Sequence, residues 1–412
     1  MKFFFPDAQD VIYPGYDFVN DEYPAHRVRQ RDDKYAHEVL EPLPYDGMLV
    51  SKAIVDGSGG NAGKYSQAQR ERLYRRGARA FFRLKPGMRL LGDNGAFSYI
   101  KEEVPPVTVN EVLDFYDACG CDAGISIDHL IVDFEPQATL FDANPDWIRR
   151  RRITLDFAAE FIAEVANRGS KMDPVGAAQG WSPESYADSI VELQNLGYKH
   201  IALGGMVPLK TGAILMTLEA VAEVIKPDIS LHLLGVTRPE AMDEFARLGV
   251  TSFDSTSPLR QAFMDDRNNY HTDSGAYTAI RVPQVEGNPR LKRRILSGEV
   301  DQTSAVKLER ASLRALWGFD RGEVPASEVL KVIRKYEELV DPTKASYIQH
   351  YQRLLADQPW KACSCNLCQS HGIDIVIFRG SERNKRRGFH NVSVLGRKVP
   401  GRRNSQGEQT GD

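Results

Sequence analysis

Three cysteines crowd into one short stretch of this chain, Cys363-Ser364-Cys365-Asn366-Leu367-Cys368. The C-x-C-x₂-C spacing lets three thiolates converge on one ion from a tight loop, and zinc prefers four such ligands in a tetrahedron. Two histidines could supply the fourth ligand, His371 and His390. His371 follows so closely that the loop would have to fold straight back on itself. His390, in Gly388-Phe389-His390-Asn391-Val392, can instead tie the loop to a later element, and it is the ligand we expect. Four protein ligands leave no open position, so the expected zinc is structural and not catalytic. Cys119 and Cys121 stand apart and read as small buried thiols near a turn.

A second set of residues recurs along the chain. Asp93, Asp128, Gln179, Gly204-Gly205, Gly235 and Asp254 each stand at or just past the end of a short apolar run. Those runs cover 47–55, 90–97, 123–130, 174–180, 200–205, 231–236 and 252–256, with a weaker one at 78–84. Segments of helical period lie between them, at 154–167, 183–196, 213–225 and 239–248. Strands alternating with helices of this length predict a parallel sheet, and eight such units predict a closed (β/α)₈ TIM barrel followed by a zinc-binding subdomain. No G-x-G-x-x-G follows the first strand and no G-x-x-x-x-G-K-[ST] occurs, which weighs against a nucleotide-binding open sheet. In a barrel the C-terminal strand ends converge on one face. Asp and Gly also stop strands and cap helices, yet so long a series containing three carboxylates favours a shared site.

The chain has 412 residues, a formal net charge of −3 and five cysteines. No stretch reaches the roughly 18 apolar residues of a membrane span, and the run Phe3-Phe4-Phe5 is too short for a secretory signal; a cytoplasmic address is expected. The modest net charge hides local basic clusters, at 290–294 and again at 379–403, where Glu382 stands alone among nine cationic side chains. Helix-like segments cover 304–317 and 325–340. The expected division is 1–44 with no assigned role, 45–280 as the barrel, 281–403 as a helical, zinc-binding and basic subdomain, and 404–412 as a disordered tail.

Taken in order, these residues resemble the tRNA-guanine transglycosylases. The family's D-[ST]-G-G-[FY]-Q is similar to Asp93-Asn94-Gly95-Ala96-Phe97-Ser98, and its guanine-reading aspartate to Asp128 in Ile125-Ser126-Ile127-Asp128. Q-G-G resembles Gln179-Gly180-Trp181, the base-pocket glycines Gly204-Gly205, and L-M-G-V-G-x-P the stretch from Leu233 to Pro239. The nucleophile motif F-D-C-x-x-P-T-R is similar to Phe253-Asp254-Ser255-Thr256-Ser257-Pro258-Leu259-Arg260, and C-x-C-x₂-C…H-N to Cys363, Cys365, Cys368, His390 and Asn391. Ala96, Ser98, Trp181, Ser255 and Leu259 depart from the pattern while the carboxylates remain. That combination resembles the family's DNA-acting branch, the 7-deazaguanine DNA transglycosylases (DpdA). With the zinc motif so close to the last residue of the sequence, the C-terminal RNA-binding domains of the archaeal tRNA enzymes are not expected.

The resemblance implies base exchange at C1′ of a nucleotide in DNA, with Asp254 as nucleophile and Asp93 as acid/base. Asp128 would read the guanine N1–H and exocyclic amine, and Gln179, Gly204 and Gly205 its O6 side. The residues after Gly205, Met206-Val207-Pro208-Leu209-Lys210, contain no carboxylate to pair with an aminomethyl base, so the neutral 7-cyano-7-deazaguanine (preQ0) is the expected incoming base. Phosphate contacts are expected from Arg260, from Lys292, Arg293 and Arg294, and from Lys385, Arg386 and Arg387. Reaching a base in a duplex requires flipping, so helper proteins that open DNA are candidate partners, and a homodimer is a candidate assembly. A tRNA-acting enzyme using preQ0 is the main alternative. A non-catalytic nucleic-acid-binding paralogue fits poorly with retention of both Asp93 and Asp254, and an unrelated hydrolase or aldolase lacks a strand-end lysine or a histidine-rich ligand set.

Overall fold

Phe3, Phe4 and Phe5 belong to the first strand of a closed barrel, β1 (Lys2–Pro6). The computed structural model describes residues 1–402, so the expected disordered tail lies outside the described residues. The other barrel strands are β2 (Gly47–Ser51), β3 (Arg89–Asp93), β4 (Ala123–Ile125), β5 (Asp173–Ala178), β6 (His200–Leu203), β7 (Ser230–Leu233) and β8 (Val250–Asp254). All pair in parallel with their neighbours in chain order, and β1 closes the ring by pairing with both β2 and β8. The expected (β/α)₈ architecture is therefore present, with one strand misplaced.

The eighth strand is β1 and not the run at 78–84. Ala78–Phe81 is a short helix that starts after Gly77, whose φ of +73° suits glycine. β1 is seated by ring packing: Phe3 stacks on Phe253 at 4.9 Å and Phe5 on Tyr45 at 5.1 Å. Phe4, Leu49, Leu91, Ile125, Val175 and Ala202, one from each of six strands, form a buried cluster that fills the barrel. Burial of each larger side chain contributes about 2 kcal/mol.

Between strands run α1 (Gln67–Arg76), α2 (Val109–Cys119), α3 (Pro145–Asn167), α4 (Pro183–Leu196), α5 (Thr211–Ala222) and α6 (Met242–Arg247). Their ends follow local chemistry. Ser182 caps α4 by accepting from the Ser185 amide, Pro183 opens its first turn, and Gly197 ends it at φ +102°. Each helix thus starts where the preceding strand's loop ends, leaving the strand termini to carry polar side chains.

The chain divides into two compact units whose boundaries differ from the expected ones. One comprises Met1–Gln9, Tyr45–Thr256 and the chain from Lys398; the other comprises Asp10–Pro44 and Ser257–Arg397. The 1–44 segment is thereby split between a barrel strand and a strap belonging to the second unit. That unit contains α7 (Pro289–Leu296), α8 (Gln302–Asp320), α9 (Ala326–Val340), α10 (Ile348–Asp357), α11 (Asn366–His371), most of α12 (Gly380–Lys398), and a two-stranded parallel pair, Ile280–Arg281 with Ile377–Phe378.

The strap is held by arginines of the final helix and the residue before it. Arg379 pairs with Asp21 and Glu309, both at 2.6 Å. Arg383 pairs with Asp21 and with Asp374, and also donates to the Phe18 carbonyl. Arg386 pairs with Glu382 and donates to the Tyr13 carbonyl, while Glu382 accepts from the Tyr13 amide and the Tyr23 hydroxyl. Buried charges need such partners. Among the described residues, no helix is long and apolar enough to cross a membrane.

Candidate active site and metal site

The ends of β3, β5 and β8 and the loop after β4 bring Asp93, Asp128, Gln179 and Asp254 to one end of the barrel, its C-terminal face. Asp128 is buried at 2% exposure, three residues past β4. The Gln179 amide donates to its Oδ2 at 2.6 Å, and Gln179 Oε1 accepts from the Ile131 amide. Asn94 lies on the other side, donating to Asp128 Oδ1 at 3.4 Å and to the Ser126 carbonyl at 3.0 Å, and is itself held by the Tyr99 hydroxyl. A Cβ at Gly204 would lie 2.1 Å from the Gln179 amide nitrogen, so a larger residue there would push Gln179 out of its place beside Asp128. Tyr186 secures that turn by donating to the Gly204 carbonyl at 2.8 Å.

Asp254 ends β8 and is 7% exposed. Its Oδ1 accepts from the Gly235 amide at 2.9 Å and lies 3.2 Å from His232 Nε2. Gly235, at φ +71°, turns its N–H toward that carboxylate.

Burial and neighbouring charge shape the acidity of Asp93 and Asp128. Burial pushes Asp93 up to about 7, the charge of Asp128 and then that of Asp254 add to the rise, and the Ser51 hydroxyl opposes it. Burial also raises Asp128, to about 6, while Gln179 and Asn94 hold it back. An acid near neutrality beside a more acidic partner suits proton transfer at ordinary pH.

The rise at Asp93 also has a sign for stability. Between about pH 4 and pH 7 the native state holds a proton that the unfolded chain releases, so stability falls as pH rises through that window. Asp93→Asn should therefore be more stable than wild type at pH 8, by about 2 kcal/mol after allowing for the solvent access Asp93 keeps. The gain should shrink as pH is lowered toward 4. Urea midpoints across that range measure it, and equal stability at pH 8 would contradict the raised pKa of Asp93.

Sequence reasoning missed His232, Asn94, Tyr99, Ser51 and Tyr186. Asn94 was visible inside a motif but without its hydrogen-bonding duty. His232 had one signal, a lone polar ring between leucines in Leu231-His232-Leu233.

In the second unit, Cys363, Cys365, Cys368 and His390 bring their ligand atoms within 4.8 Å of one another. The three sulfurs lie 3.6, 3.4 and 3.3 Å from His390 Nδ1. A tetrahedral thiolate–imidazole cage around one ion has sulfur–nitrogen edges of about 3.5 Å, so these residues could hold a metal. His390 Nε2 donates to the His271 carbonyl at 2.7 Å, directing Nδ1 at the sulfurs, and Tyr270 stacks on the ring at 4.2 Å. His371 is outside the cluster; its Nε2 accepts from Arg386.

The basic residues meet different fates. Arg260, Lys292 and Arg293 are exposed. Arg294 is half-buried, bound to Glu299 and the Leu339 carbonyl. Arg386 and Arg387 are 1% and 0% exposed, and Lys385 donates to the Val11 carbonyl. Arg387 spends its guanidinium on the Ile375, Ile377 and Ala262 carbonyls and the Asn384 side chain. The expectation that Arg386 and Arg387 contact phosphate is therefore corrected: both are buried and turned to partners inside the protein.

Carboxylates carried on separate strand ends, with one acidity shifted to neutrality, are how a barrel hosts covalent and acid–base chemistry, and the class is a barrel enzyme. Residues 64–376 match the queuine tRNA-ribosyltransferase family, and the chain belongs to that family. It is thus a glycosyltransferase of the nucleobase-exchanging kind. The chain is 50% identical to the DNA-guanine transglycosylase of Salmonella montevideo, over 96% of its own length and 95% of the relative's. It is 32% identical to the queuine tRNA-ribosyltransferase of Marinobacter nauticus over 29% of this chain and 32% of that one. The corresponding protein of Psychrobacter cryohalolentis is 28% identical over 45% and 49%.

Proposed function

We propose that this enzyme replaces guanine in DNA with preQ0 through a covalent sugar–Asp254 intermediate. The observation that carries the DNA reading is the 50% identity, at nearly full length, with the Salmonella DNA-guanine transglycosylase. Asp254 attacks C1′ from the face opposite the base, the C1′–N9 bond breaks, and its electron pair leaves with guanine, which takes the Asp93 proton. The incoming base then gives its N9 proton to Asp93 and displaces the Asp254 carboxylate. Two inversions leave the sugar with its original stereochemistry.

Asp128 accepts from guanine N1–H and the exocyclic amine. Gln179, with one amide hydrogen on Asp128, offers the other to O6, alongside the main chain at Gly204 and Gly205. Met206, Val207 and Pro208 supply no charge for an aminomethyl group, which favours the neutral nitrile. Arg260, Lys292 and Arg293 are the cations left to meet phosphate. The Cys₃His cluster holds zinc, which cross-links the cysteine loop to α12 and takes no part in the exchange. A DNA substrate supports the expected cytoplasmic address.

Nucleoside mass spectrometry tests the proposal. Cells or reactions with the protein and preQ0 should yield 7-deazaguanine deoxynucleosides in DNA and none in tRNA. Label in tRNA alone would turn the reading to the ribonucleic acid substrate, and faster exchange with the aminomethyl base would overturn the preference for preQ0.

A further inference from the structure

One buried histidine is unused by the chemistry above. His232 sits mid-strand in β7 at 5% exposure, in register with Ser252 on β8. Its two ring nitrogens face two partners, Ser252 Oγ at 2.8 Å from Nδ1 and Asp254 Oδ1 at 3.2 Å from Nε2. Phe4 of β1 packs edge-on against the ring, with centroids 6.0 Å apart. A carboxylate can only accept, so the proton of the bond to Asp254 belongs to Nε2. Nδ1 then accepts from the Ser252 hydroxyl, which fixes that tautomer.

We propose that His232 is the positioning residue of the nucleophile, acting with the Gly235 amide to pin one oxygen of Asp254 so that the other attacks C1′. This rests on Asp254 being the nucleophile. Both donors converge on Oδ1, at 2.9 and 3.2 Å, and among the described residues no protein donor occupies Oδ2. A carboxylate held by one oxygen from two directions cannot rotate about its Cβ–Cγ bond without losing both bonds. Its free oxygen therefore keeps one bearing, which is worth rate and not affinity. The same arrangement matters in the second half-reaction. When N9 of preQ0 bonds to C1′, the Asp254–C1′ bond breaks and its electron pair returns to Asp254, where the two donors receive the negative charge in place. His232 makes no contact with base or sugar in this scheme, so it acts through Asp254 alone.

The test compares His232→Phe, which keeps a ring but loses both nitrogens, with His232→Gln, whose amide can reach the place of Nε2. Single-turnover guanine release and trapping of the sugar–protein adduct are measured beside the KM for preQ0 and the thermal midpoint. His232→Phe should slow adduct formation by about 30-fold, the scale of one lost hydrogen bond to a charged group, with KM changed less than about 3-fold. His232→Gln should recover most of the rate. Adduct formation at the wild-type rate in His232→Phe would overturn the proposal, as would equal losses in both variants that follow the thermal midpoint. Asp254→Asn, run in parallel, separates the two ideas: persistence of the adduct there removes the nucleophile, whereas its loss beside an unaffected His232→Phe removes only the positioning role.

Discussion

Asp254→Asn will abolish the trapped sugar–protein adduct and lower base exchange by about 10⁴-fold or more, the range seen when a nucleophile that works in concert with its neighbours is removed. The variant should remain folded, for a physical reason. An asparagine can present its Oδ1 to both the Gly235 amide and the His232 ring, so the two donors that hold the aspartate keep their acceptor. What the amide lacks is a nucleophilic oxygen with a full negative charge. Far-ultraviolet dichroism, metal content and the thermal midpoint should therefore stay close to wild type while intact-protein mass spectrometry shows no adduct. An adduct at wild-type yield would move the nucleophile to another residue, and Asp93 would then have to be examined in that role.

Removing the metal should have the largest effect on stability. Apparent binding free energies at structural zinc sites run to about 10–16 kcal/mol, comparable with the whole stability of a domain. Cys365→Ser leaves three ligands and a hydroxyl in a pocket where Cys365 is 3% exposed. The purified variant should carry well under one zinc per chain, and hydrogen exchange across 257–397 should rise sharply. Prolonged chelation of the wild type should do the same, with recovery on adding zinc back. A fully demetallated protein with an unchanged unfolding midpoint would show that the cysteine loop is held by packing alone.

The barrel was largely legible because most of its strands are short apolar runs ending in Asp, Gly or Gln. The failures share a cause, which is that they depend on partners remote in the chain. β1 is an aromatic triplet between Lys2 and Pro6, with nothing in its own pattern to say strand until Phe253 and Tyr45 are placed beside it. The run at 78–84 has the composition of a buried strand, and only Gly77 hinted at the helix start. The arginines of α12 read as a phosphate-binding stripe because their counterions cannot be seen locally: Asp21 lies more than 350 residues from Arg383. The site divides the same way. Its three carboxylates were legible as strand-end residues, and the Cys₃His grouping was legible from spacing. His232 and Asn94 were not, since their importance lies in what they hold.

The pairing of Phe4 with Asp254 has a consequence for how the enzyme is made. The strand that carries Asp254 gains its second neighbour only when residues 2–4 meet residues 252–254, so the first segment off the ribosome waits for one made about 250 residues later. The aromatic triplet spends that interval without its ring partner Phe253, a hazard for aggregation and a natural target for a chaperone. It also acts as a safeguard. A chain broken off during translation before its 250th codon lacks Asp254, so under the proposed mechanism an abortive product cannot carry out the exchange.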